Sequence, residues 1–233
     1  MNRFEYVQAT AVEEAIEMMN STVPEATVRR GSGPAMVVKA GGTDLLDLMK
    51  EGIVAPDRII DLSRIPGLDK LSYDDKTGLQ FGPMVTIAGL ENSAEVKKHY
   101  PALWEAAAHA ATPQLRNMAT MGGNLMQRPR CWYFRSSAHK CRKKGGVPCF
   151  ARPGENEFHA IFENSLCPCV HPSSLATALL AYDGKVELTG PKGVREVPLG
   201  EFFIPSNVKV TQETVAESKE IITNIMLPPV DAN

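Results

Sequence analysis

No stretch of the 233-residue chain approaches the ~20 consecutive apolar residues of a membrane-spanning helix, and the opening Met1–Gln8 lacks the apolar core of a secretory signal. An excess of one charge is missing too. With 25 basic and 27 acidic residues the net charge is -2, which argues against general binding to nucleic acid or an anionic membrane. Aromatic residues are few, at 6%, yet 43% hydrophobic side chains suffice for one large core or two small ones. Internal repeats and low-complexity tracts are absent. These absences predict a soluble globular protein. Without a signal of its own it is expected in the cytoplasm, with export to the periplasm beside a signal-bearing partner as the other route.

Cysteine is absent before position 131 and after position 169. All five, Cys131, Cys141, Cys149, Cys167 and Cys169, fall within one 39-residue window. An odd, clustered set in a chain without a signal reads as metal ligands rather than a disulfide framework. The first four are separated by nine, seven and seventeen residues, with no Cys-x-x-Cys, so spacing leaves iron-sulfur and zinc both open. From Arg128 to Lys144 there are seven basic residues and no acidic one, which fits a site that concentrates negative charge.

Catalytic signatures are missing as well. There is no His-Glu-x-x-His, no paired carboxylate set and no Ser-His-Asp arrangement, so no hydrolytic chemistry is expected. Neither Gly-x-Gly-x-x-Gly nor a Gly-Lys-Ser/Thr loop occurs, which disfavours the Rossmann and P-loop modes of phosphate binding. What the chain does contain is two glycine pairs set among short polar residues. Lys39-Ala40-Gly41-Gly42-Thr43-Asp44-Leu45 follows the apolar run Ala35–Val38, and Thr120-Met121-Gly122-Gly123-Asn124 comes 81 residues later. Backbone without Cβ atoms beside hydroxyl and amide side chains suits N–H groups that must approach an anion closely. Two such loops imply two phosphates, or one long ligand held at two points. At the first loop, Thr43 is expected to donate to phosphate and Asp44 to meet a ribose or ribityl hydroxyl.

In chain order, a strand at Phe4–Val7 and a helix from Thr10 lead, past breakers at Pro24 and Gly31–Pro34, to a strand at Met36–Lys39. This reads as a β-α-β unit that delivers the first loop. A strand at Asp57–Leu62 and a hairpin around Asp74–Gly78 follow, then helices from Thr86 and from Pro101 to Ala111. A helix near Leu175–Ala181, a hairpin at Lys185–Leu199 and a strand at Glu220–Ile225 complete an α+β pattern. The expected lobes are residues 1–56 and 57–233, with the cysteine-rich insert at about 128–170.

The two glycine motifs, with the lead-in Gln114–Ala119, resemble those of the FAD-binding subunit of the molybdenum hydroxylases, the xanthine dehydrogenase, carbon monoxide dehydrogenase and aldehyde oxidoreductase superfamily. The resemblance covers the whole chain. It implies the two-lobed FAD-binding fold of the vanillyl-alcohol oxidase and p-cresol methylhydroxylase type, with FAD extended between the lobes. It also implies flavin contacts from Lys39, Ala40, Gly41, Gly42, Thr43, Asp44 and Leu45, and from Thr112, Arg116 and Asn117. Thr120, Met121, Gly122, Gly123, Asn124, Gln127 and Arg128 join them, as do His171, Ser174 and Ile222. His171-Pro172-Ser173-Ser174 stands at the family's His-Pro-Ser-Asp position, with Ser174 in place of the Asp. No catalytic side chain is assigned.

The insert is similar to one in the flavin subunits of 4-hydroxybenzoyl-CoA reductase and related aldehyde oxidoreductases, and this likeness implies a 4Fe–4S cluster on Cys131, Cys141, Cys149 and Cys167. The expected partners are a molybdopterin-binding large subunit and a 2Fe–2S small subunit, with FAD passing electrons to an external acceptor. Trp132, Tyr133 and Phe134 would shield the cluster. Family members continue past Leu227 into a further α/β domain, so a chain ending at Asn233 is expected to leave the isoalloxazine end more open. A zinc-stabilised binding module and a free-standing flavoenzyme are the rival readings.

Overall fold

Short apolar runs bounded by turn residues build the first sheet. In the computed structural model, which describes residues 1–29, 33–162 and 164–230, strands β1 (Glu5–Gln8), β2 (Met36–Lys39) and β3 (Arg58–Asp61) lie parallel in the order β1-β3-β2. Successive side chains on a strand point to opposite faces. Ile59 of β3 therefore packs with Val37, Leu48 and Met49, while Ile60 packs with Ala15, Ile16 and Met19. Helix α1 (Val12–Met18) covers the second face, and α2 (Val23–Val28) and α3 (Leu45–Lys50) cover the first. Burial on both faces explains why β2 and β3 carry apolar residues in succession without alternation, whereas β1, Glu5-Tyr6-Val7-Gln8, is mostly exposed.

Two expectations are corrected here. Pro24 does not break the chain: it occupies the first turn of α2, where no N–H is needed, behind a capping box made by Thr22 and Glu25. Of the expected breaker at Gly31–Pro34, Gly31 and Ser32 lie outside the described residues. The strand Arg58–Asp61, assigned to the larger lobe, is the centre of the first sheet, because pairing with β1 and β2 satisfies both of its edges. The first sheet thus extends past residue 56.

The second sheet is antiparallel and combines β4 (Leu71–Asp74), β5 (Gly78–Phe81), β6 (Lys185–Gly190), β7 (Gly193–Pro198) and β8 (Ile221–Leu227) in the order β4-β5-β8-β6-β7. The last strand is central, inserted between two hairpins. Helices α4 (Ile87–Glu91), α5 (Ala94–His99), α6 (Pro101–His109), α7 (Pro113–Met118) and α8 (Met121–Leu125) follow β5 in close succession. Of these, α5 and α7 are not among the expected elements, although Ser93 caps α5 by accepting from the Val96 N–H and Thr112 caps α7 by accepting from the Leu115 N–H. After α9 (Trp132–Arg135) come α10 (Ser174–Ala181) and α11 (Leu199–Phe202). Leu79, Phe81, Leu90, Leu103, Leu179, Val186, Phe202 and Ile225 form the main core against this sheet.

One residue step on β8 joins the two halves. Ile221 packs into the cluster under the first sheet, and Ile222 into the main core. The architecture is α+β with two sheets, and no helix among the described residues is long and apolar enough to cross a membrane.

Candidate functional site

The two glycine motifs meet. A Cβ built on Gly41 would lie 1.9 Å from the Met118 carbonyl oxygen, so only glycine permits the first loop to touch the segment that leads into the second. Its neighbour Gly42 has φ of +79°, a left-handed turn that redirects the chain into α3. Among the described residues no protein acceptor takes the N–H groups of Gly41, Gly42, Thr43, Asp44 or Leu45. This loop keeps its donors free for an anion, as the sequence suggests.

The second motif differs from expectation. It is not a loop but the short helix α8, capped by Thr120. Its N–H groups are already spent: Met121 donates to Val85, Gly122 to Pro83, Gly123 to the Thr120 hydroxyl and Asn124 to the Thr120 carbonyl, at 2.8–3.3 Å. A side chain on Gly122 would come within 2.6 Å of the Pro83 Cβ. These glycines therefore serve close packing, and the N–H nest expected here is not formed.

A groove runs over this junction in three connected parts, all of which include Gly123. One pocket of about 100 Å³ is bounded by Val38, Ala40, Gly122, Met126, Ile221 and Ile222. A second, about 80 Å³, lies directly between the motifs, from Lys39–Leu45 to Thr120, Met126 and Gln127. The third opens to about 440 Å³ and reaches Thr43, Asn124, Gln127, Arg130, Ser174 and His109. Another depression, about 490 Å³ around Gly190–Arg195 and Glu217–Glu220, touches neither motif.

Several expected contacts stand apart from this groove. Arg116 is buried and spends its guanidinium on Glu91, at 2.8 and 3.1 Å, and on the carbonyls of Ala110 and Ala111. Thr112 caps α7, Asn117 is exposed, and Met121 is fully buried. Arg128 is fully buried, and burial pushes its pKa down against the opposing pull of Glu213. Its Nε lies 2.8 Å from the Glu213 carboxylate, close enough for charge pairing though not aligned for a hydrogen bond, while Nη2 donates to the same carboxylate.

Asp44 does border the groove, but it is not free for a sugar hydroxyl. One oxygen accepts the Arg128 N–H at 2.9 Å, and the other meets Arg135 at 2.6 Å and Arg130 at 3.3 Å. His171 lies under Phe203, beside the groove wall Pro172, and burial lowers its pKa, which favours the neutral ring. Ser173, a residue the sequence reading passed over, bonds the Asn124 amide and caps α10. No local signal marks it apart from its place before an apolar helix.

The basic run turns out to pin the insert rather than form an open positive face. Lys143 and Arg128 converge on Glu213, Arg135 clamps Asp44 and Asp47, and Arg142 and Lys144 donate to backbone carbonyls. Within the frame so made, all five cysteines line one cavity of about 10 Å³, together with Phe134, Lys143 and Phe150. Cys169, left out of the expected ligand set, is among the lining residues and hydrogen-bonds both Cys131 and Cys167. Hydrogen bonding to Cys169 holds the Cys131 thiol down to about 5 and the Cys167 thiol to about 6, against the effect of burial. The same contacts, together with burial, push Cys169 up. Burial raises Cys141. The thiolate chemistry fits an iron-sulfur cluster. The room between the sulfurs is that of a single water-sized centre, so a four-iron cluster requires the cavity walls to part.

A long groove with free N–H groups at one loop has the geometry of a binding site for an extended ligand with an anionic part. The chain belongs to the family described as FAD binding domain in molybdopterin dehydrogenase, which matches residues 2–230. It is 37% identical over 212 residues to the aldehyde oxidoreductase FAD-binding subunit PaoB of Escherichia coli (strain K12), across 90% of this chain and 66% of that protein. Among solved structures it is similar to carbon monoxide dehydrogenase from Hydrogenophaga pseudoflava, with a TM-score of 0.66 and 27% identity over 99% of this chain and 61% of that one. The CO dehydrogenase of Oligotropha carboxidovorans shares the fold, with a TM-score of 0.67 at 20% identity over 98% of this chain and 60% of that one. The chain thus spans somewhat under two thirds of the length of these relatives.

Proposed function

We propose that this chain is the FAD-binding, electron-transferring subunit of a molybdenum-containing hydroxylase, lying with its flavin between the two sheets in the manner of the vanillyl-alcohol oxidase fold. The observation that carries this reading is the connected groove with five unspent N–H groups at Gly41–Leu45. Those N–H groups and Thr43 would hold the pyrophosphate, with Ala40, Gly123 and Gln127 walling it and Ile222 and Ser174 bounding the two ends. When bound, FAD supplies two-electron acceptance and single-electron release. The protein's part is to fix and shield it, since no side chain in the groove is placed as acid or base.

The partners we propose are a molybdopterin-binding large subunit and a 2Fe–2S small subunit; one relative's name speaks of an FAD-binding subunit and another's of a molybdenum cofactor, which supports a place in a multi-subunit molybdenum enzyme. We further propose a 4Fe–4S cluster held by Cys131, Cys141, Cys149 and Cys167, supported by the convergence of these thiols on one cavity. Purified chain titrated with FAD should bind one equivalent and quench its fluorescence. Absence of saturable flavin binding by correctly folded protein would overturn the reading. Anaerobic reconstitution with iron and sulfide should give four irons per chain, and zinc uptake without iron would exclude the cluster.

A further inference from the structure

Asp44 ends the first glycine motif and opens α3, a place where an aspartate usually turns its carboxylate back onto the helix's own free N–H groups. Here it does not. Its side chain makes no cap hydrogen bond and meets the start of the cysteine-rich insert instead, through the Arg128 N–H at 2.9 Å, Arg135 at 2.6 Å and Arg130 at 3.3 Å. Asp44 also borders both of the pockets that contain Thr43. A negative group beside N–H donors left free for an anion opposes that anion unless its charge is cancelled. Arg135 is placed to cancel it. Closing α9 and 12% exposed, it gives Nη2 to Asp44 and the Arg128 carbonyl, Nη1 to Asp47 and Nε to the Pro129 carbonyl, at 2.6–2.9 Å. Arg130 is less fixed: it is 54% exposed and donates to Gln127.

We propose that Arg135 is a positioning residue for the anion loop. Acting through Asp44, it neutralises the carboxylate and fixes the loop, so that the N–H groups of Gly41–Leu45 face a diphosphate without a competing negative charge. A guanidinium on a carboxylate suits this task, because such charge-assisted bonds are roughly twice as strong as neutral ones and their geometry is fixed by the planar fork. Asp47 shares Arg135 but is 49% exposed and borders neither pocket, so the effect runs through Asp44. The inference deepens the flavin reading and rests on it. It gives the first helix of the insert a part in flavin binding, whatever the cysteines hold.

The full chain and its variants are titrated with FAD and, separately, with ADP, and circular dichroism checks that each is folded. Arg135→Met should weaken both ligands about tenfold to hundredfold, the loss of a charge-assisted contact. Arg135→Gln takes its place if the methionine variant does not fold. Arg135→Lys, which returns the charge without the fork, should recover part of the loss. In an Asp44→Asn background the same Arg135→Met change should cost less than about threefold, because no carboxylate is left to neutralise. Raising the salt from about 0.05 to 0.5 M should narrow the gap between Arg135→Met and wild type, since screening weakens the repulsion from an unpaired Asp44. A purely architectural role predicts an equal loss in both backgrounds and no effect of salt. Either of those results, an equal loss in Asp47→Asn, or wild-type affinity in Arg135→Met would overturn the proposal. Folded wild-type chain that binds neither ligand would overturn the flavin reading, and this inference with it.

Discussion

Gly41 carries a sharp constraint, since a methyl group there would sit 1.9 Å from the Met118 carbonyl and one of the two loops would have to move. Gly41→Ala should fold yet bind FAD roughly 10- to 100-fold more weakly, the effect of ~1–3 kcal/mol of local strain at the groove. Fluorescence titration checks this, and wild-type affinity would show that loop contact does not shape the groove. Glu213 is the other decisive position. It accepts from Lys143 at 2.8 Å and pairs with Arg128, two cations that are 3% and 0% exposed. Glu213→Gln leaves both without a counter-charge and should cost about 3–5 kcal/mol in urea unfolding. A loss well under 1 kcal/mol would mean that water or another group takes the carboxylate's place.

At the scale of elements, Asp61 ties β3 to β1 and to the first glycine loop. The Tyr6 hydroxyl, the Ser63 N–H and the Lys39 ammonium all meet it, and Lys39 also donates to the Ala40 carbonyl at 3.0 Å. Burial alone would raise its pKa, but these three partners outweigh burial and hold it below the ordinary carboxylate value. A group depressed in this way stabilises the fold fully above its unfolded value of about 3.9 and loses that contribution as pH falls through the folded value. Asp61→Asn should therefore lower the urea midpoint at pH 7, and the gap to wild type should narrow as pH falls below the unfolded value of about 3.9. A gap that stays constant with pH would mean that the carboxylate's charge contributes nothing. Helix α8 offers a second test at this scale. Thr120 caps it through the Gly123 N–H, so Thr120→Ala should cost about 1 kcal/mol and loosen the wall of the groove.

For the molecule as a whole, a ligand that binds only the folded chain raises its stability by mass action. FAD at a hundredfold excess over its dissociation constant adds about 2.7 kcal/mol, which for a chain of this size means a rise in melting temperature of about 5–10 °C. Differential scanning fluorimetry with and without FAD measures it. If the rise is the same in Gly41→Ala at equal FAD, the groove between the glycine motifs is not where FAD binds.

Much of this was legible in the sequence. The apolar runs specify β2 and β3 because both faces of that sheet are buried, the Asp74–Gly78 turn marks the β4–β5 hairpin, and two glycine pairs with Thr beside them single out the groove. Clustering of the cysteines marks their site in the same local way. Tertiary structure alone decided the rest. The place of β3 between β1 and β2, and of β8 between two hairpins, follows from edge pairing over long separations that no local pattern encodes. The first glycine pair keeps its N–H groups free while the second spends its own, because that depends on whether a neighbouring carbonyl, here Val85 or Pro83, comes within reach. The positive run binds inward because Glu213, 85 residues beyond Arg128, folds beneath it. Cys169 joins the other four cysteines for the same reason: spacing records order along the chain, whereas which side chains meet is fixed by distances that only packing creates.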